Sequence, residues 1–165
     1  MSARRTLLWI RICIGILIFG LFVSGVTAFP LREELALGSD VLHATPASAW
    51  FPEAVAWVDR VAHALNDVGA RYPFIAYGTD WLAYAHLVLA VLFLGPLVNP
   101  VRNIWVIQFG VIACAGIIPL ALIAGGIRGI PLGWQLIDMS FGVIGVIPLA
   151  IAWRLTRRLE RHPDR

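Results

Sequence analysis

The chain has no lysine, since all thirteen basic residues are arginine, and charged residues of both signs fill only 14 % of its 165 positions. That is too little charge to clothe a water-facing surface, and with 59 % hydrophobic residues and a mean hydropathy of +0.81 it excludes an ordinary soluble domain. The net charge of +3 never gathers into a basic stripe interleaved with aromatics, which excludes a nucleic-acid footprint. Cysteine is nearly absent. Cys13 and Cys114 lie far apart in separate apolar runs, with no C-x-x-C and no neighbouring histidine, so they read as small buried hydrophobes and not as a redox pair or metal site. Among the histidines, His43 and His63 are outside the apolar runs and His162 is in the tail; His86 alone falls within one, and a bis-histidine haem lacks its second ligand. H-E-x-x-H, the P-loop and G-x-S-x-G are all missing. No catalytic residue, metal ligand or cofactor is assigned.

What the chain does have is long apolar runs. Four of them, about 7–29, 81–98, 104–124 and 132–155, approach the twenty or so residues that cross about 30 Å of hydrocarbon. The first follows Arg4 and Arg5 and is interrupted by Arg11, whose side chain can snorkel to the headgroups. Val26-Thr27-Ala28 also suits signal-peptide cleavage after Ala28; the span-length run favours an uncleaved helix. Thr79-Asp80 reads as the N-cap of the second span. Between the first two spans, residues 30–80 form a net acidic segment. Within it a helix over about 52–70 is expected, because Phe51, Val55, Val58, Val61, Leu65 and Val68 recur at three- and four-residue steps, with Glu53, Asp59, Arg60, His63 and Asp67 off that face. Ser48 is its expected N-cap, Gly69 its stop, and Trp50 and Trp57 are expected at headgroup depth.

Arginine sidedness sets orientation. With both termini cytoplasmic, nine of the thirteen arginines lie inside, and Arg32, Arg60, Arg71 and Arg128 outside. The expected fold is an all-α integral membrane protein, a single membrane domain built as a bundle of four transmembrane helices with one extracytoplasmic amphipathic helix. Gly110, Gly116, Gly142 and Gly145 are expected to let helices approach closely.

Asp138 is the ionisable group deepest in the last span. Counting about 1.5 Å per residue puts Asp138 roughly 7 to 8 Å and His86 roughly 9 Å below the outer surface, a shared level that Tyr84 and Gln135 nearly reach and Arg128 overhangs. These five residues are the candidates for a ligand site or proton relay; the alternative is that Asp138 pairs with Arg128 or His86 merely to fix helix register. The first functional expectation is a non-enzymatic membrane protein of accessory or structural type, lodged in the lipid bilayer and partnered with a membrane or periplasmic protein through helix 52–70. The alternatives are a small proton-coupled carrier using Asp138 and His86, and an enzyme acting on lipid or quinone. The sequence does not fix an oligomeric state.

The blocks AYGTDWLAYAH (76–86), NPVRNIWVIQFG (99–110) and IAGGIRGIPLGWQLID (123–138) resemble those of a group of small bacterial inner-membrane proteins with four predicted spans. The resemblance implies a bacterial cytoplasmic membrane and brings no activity, ligand or catalytic residue with it.

Overall fold

A computed structural model describes residues 3–161; of the residues assigned above, His162 and Arg165 lie outside that range. The described residues are helical throughout, without a strand: α1 Ala3–Ala28, α2 Leu31–His43, α3 Ala47–Trp50, α4 Pro52–Arg71, a 3₁₀ turn Pro73–Ile75, α5 Ala76–Leu92, α6 Leu94–Val98, α7 Ile104–Ile127 and α8 Leu132–Arg161. Four helical stretches are long and apolar enough to cross a membrane: α1, the stretch Pro73–Val98, α7 and α8. The shortest, α7 with 24 residues, extends about 36 Å. Their outward faces are apolar, with Phe19, Val91, Phe141 and Ile144 all more than 60 % exposed. Side chains of this kind are stable facing hydrocarbon and not water.

The chain divides into two compact units, Phe22–Leu87 and the remainder, with the divisions falling inside α1 and α5. In the unit made of the two chain ends, Ile10, Cys13 and Ile14 of α1, Phe93 at the end of α5, Ile107 of α7, and Leu149 and Ala152 of α8 form one buried core. Pro96 explains why α5 stops where it does. It has no N–H to give and its ring crowds the carbonyl of Leu92, so the chain leaves α5 at Phe93 and restarts as α6. Asn103 then ties the turn to α7, its Nδ2 donating to the carbonyls of Gly95 (3.1 Å) and Asn99 (2.8 Å).

α7 and α8 form an antiparallel hairpin in which Gly125 faces Gln135, Cys114 and Ile117 face Gly142, and Gly110 faces Leu149. A Cβ added at Gly142 would sit 2.6 Å from the Cys114 carbonyl oxygen, and one at Gly145 3.0 Å from the Cys114 Sγ. At Gly116 it would meet nothing within 4 Å. The close approach therefore rests on Gly110, Gly142 and Gly145, with Gly125 at the closed end.

In the other unit α2 lies antiparallel to α4. This second helix of the polar segment goes beyond the single helix expected there. Leu31, Leu35 and Leu42 make its half-buried stripe, and Glu33 and Glu34 in its first turn and His43 in its last suit the helix dipole. α4 buries Val55, Val58 and Ala62. Two expected caps are displaced. Ser48 lies in α3, its hydroxyl donating to the Thr45 carbonyl, and Phe51 precedes α4. Thr79 and Asp80 sit inside α5, because Pro73 with its fixed φ starts a 3₁₀ turn that runs directly into the helix. The end of α1 packs on α5 here, Gly25 against Ala83 and Leu87.

Gly142→Ala is expected to destabilise the protein by about 1–3 kcal/mol through overpacking against backbone, while Gly116→Ala leaves stability unchanged or raises it by up to about 1 kcal/mol through helix propensity. Unfolding in mixed mild and denaturing detergent measures both; equal effects would refute this account of the hairpin.

Candidate functional site

The closed end of the α7–α8 hairpin is built around one left-handed residue. Gly129 has φ +67°, the Ile130 N–H donates to the Gly125 carbonyl (2.9 Å) and the Gly129 N–H to that of Gly126 (3.3 Å). This is the Schellman arrangement, which satisfies the last carbonyls of a helix and which a residue with a Cβ resists. It turns the chain sharply enough for α8 to begin at Leu132. Gln135, in the first turn of α8, is buried and donates from Nε2 to the Ile130 carbonyl at 2.7 Å. Its side chain fills the space a Cβ on Gly125 would occupy, coming within 2.7 Å of it. Gly125 was not among the expected packing glycines; the signal for it is its place in Gly125-Gly126 at the end of an apolar run, where a helix stop demands close packing.

Directly beside this staple, Ile117, Leu120, Ala121, Ala124, Gly125, Arg128, Ile130 and Asp138 line a cavity of about 280 Å³. The cavity exists because α7 contributes alanine and glycine where α8 contributes a short carboxylate. Asp138 is half-buried and Arg128 exposed. Among the described residues neither side chain forms an ion pair or hydrogen bond, although both line the same space. A carboxylate and a guanidinium so placed offer an acceptor and a fork of donors to one small molecule.

His86 and Tyr84 belong to the unit Phe22–Leu87 and are described within it. His86 donates from Nδ1 to the Leu82 carbonyl of its own helix at 2.8 Å, which leaves Nε2 as its remaining ring nitrogen. The Tyr84 ring meets Trp81 edge-on at 6.3 Å, and Trp81 meets Tyr77 in the same way at 6.0 Å, an aromatic ladder along α5.

One polar cluster escapes sequence reasoning because its members are far apart in the chain and share no motif. Ser39 donates from Oγ to Asp59 Oδ1, and His43 Nε2 lies 2.9 Å from Asp59 Oδ2. The carboxylate sits between serine and histidine, so the imidazole is not placed to take the serine proton, and no nucleophile is activated. The cluster is a clasp: with Arg32 Nε donating to Asn66 Oδ1, it ties α2 to α4 at both ends. The Ser39 hydroxyl foremost, and then the His43 hydrogen bond and charge, hold the Asp59 carboxyl below its ordinary value.

No family model, curated protein or solved structure matches this chain.

Because Asp59 holds its proton less tightly folded than unfolded, unfolding of the clasp takes up a proton in acid. Its contribution is complete above the ordinary carboxylate range, about pH 4, and is lost as pH falls through the depressed value. Protection of the α2 amides, taken relative to the intrinsic exchange rate at each pH, is therefore expected to fall on acidification more in the wild type than in Asp59→Asn; identical acid profiles would remove Asp59 from the clasp.

Proposed function

We propose that the chain is a non-enzymatic, multi-pass accessory protein of the bacterial cytoplasmic membrane, with both termini inside, whose spans form one bundle and whose α7–α8 cavity binds a small polar ligand. The observation that carries this reading is the pairing of opposites without contact: Asp138 and Arg128 line one cavity and neither is neutralised by a partner among the described residues. A carboxylate used only to fix helix register is expected in an ion pair or hydrogen bond, since an unpaired charge in hydrocarbon is costly. The membrane assignment rests on the apolar spans and on the resemblance to small bacterial inner-membrane proteins, and the orientation on arginine sidedness.

α4 was expected to be the docking helix for a partner protein. Its apolar face is taken up by α2, so a partner would meet the charged face of Glu53, Arg60, His63 and Asp67, or the exposed Trp50 and Phe51 beside it. A carrier reading uses the same α7–α8 cavity and adds proton coupling through Asp138 and His86; proton-coupled flux in liposomes that is insensitive to Asp138→Asn would end it.

Native mass spectrometry of the gently solubilised protein is the direct test. A small molecule is expected on the wild type and absent from both Asp138→Asn and Arg128→Gln, with Gly116→Ala as a folded control that retains it. If the wild type is as ligand-free as the two variants, Asp138 is packing and the binding reading fails.

A further inference from the structure

The opposite end of α1 carries a second concavity that the α7–α8 cavity does not involve. Arg4, Arg5, Leu7, Leu8 and Arg11 line a groove of about 760 Å³. Helical spacing puts Arg4, Leu8 and Arg11 in one row, with Arg5 beside it. The row points away from Thr6, Ile10, Cys13 and Ile14, which are buried. Among the described residues no carboxylate lines the groove and none of its three guanidiniums forms an ion pair.

Arg11 is held in place. Its Nε donates to the Leu97 carbonyl at 3.2 Å, satisfying one of the carbonyls left without a partner at the end of α6. That bond uses one of five guanidinium donors and leaves the terminal nitrogens free, the pair that grips a phosphate in a bidentate fork. Below the arginines, Leu8, Ile12 and Phe19 follow at helical spacing, 56 %, 41 % and 69 % exposed, with the side-chain-free Gly15 between them. A fixed cationic fork above a continuous apolar track suits a molecule that is anionic at one end and hydrocarbon at the other. The groove is also far larger than a phosphate ion, and it lies within about 12 Å of the start of the helix, at headgroup depth.

We propose that this groove is a binding site for an anionic phospholipid, its phosphodiester on the Arg11 fork, Arg4 and Arg5 completing neutralisation, and an acyl chain along Leu8, Ile12 and Phe19. The full-length protein, purified in detergent, is titrated with phosphatidylglycerol and with phosphatidylcholine of the same chains and read by native mass spectrometry. Wild type is expected to retain phosphatidylglycerol in preference. R4Q/R5Q, which leaves the Arg11–Leu97 bond intact, is expected to weaken that retention about twenty-five-fold, a factor of about five for each arginine. R157Q/R158Q removes the same charge from α8 and is expected to leave retention within about twofold of wild type, since neither of those arginines lines the groove. Equal retention of the two lipids, or equal loss from the two double variants, overturns the proposal. Displacement of the lipid by millimolar inorganic phosphate overturns it as well, because the site would then be a simple anion site.

Discussion

Hydrocarbon offers no hydrogen bonds, so every backbone N–H and C=O at membrane depth must be satisfied within the protein. Inside a helix this is automatic. At helix ends and breaks it is not, and three polar side chains of this chain are found at those places. Arg11 serves the Leu97 carbonyl where Pro96 has interrupted the second span, Asn103 serves Gly95 and Asn99 in the turn that follows, and Gln135 serves Ile130 where α7 turns into α8. With only 14 % charged residues, the chain places several of its few polar groups where the backbone itself falls short.

Asp138 and Arg128 stand apart from this pattern. Neither serves a backbone group, and both border space left by small residues on α7, Ala121, Ala124 and Gly125. The Schellman turn and the Gln135 staple hold the two helices at a fixed distance next to that space, so the cavity is a consequence of how the hairpin closes and of the small side chains that line it, and does not depend on the charge of Asp138 or Arg128. Removing one charge should therefore alter what the cavity holds more than whether it forms.

The spans are legible in the sequence because hydropathy over a span-length run leaves little alternative in a bilayer, and Asp138 stands out because an ionisable residue in such a run is rare. Helix ends are less legible: α5 opens at Ala76 because of Pro73, three residues before the side chains that look like caps. Glycines illustrate a harder limit. Composition marks Gly116 and Gly142 as equals, yet only Gly142 meets a neighbour, and which face of a helix turns inward depends on partners that local sequence does not name. The α2–α4 clasp was hidden for the same reason, since Ser39, His43 and Asp59 become neighbours only when two helices with weak individual signals lie side by side.

The buried row of α1 has a bearing on biogenesis. Ile10, Cys13 and Ile14 are covered by Phe93, Ile107, Leu149 and Ala152, all of which are synthesised long after α1 has left the ribosome. During vectorial synthesis the inner face of α1 stays unmatched until these residues are made, and its core closes only when the last helix arrives. A chain truncated before α8 would lack Leu149 and Ala152 and leave the buried row of α1 only half covered.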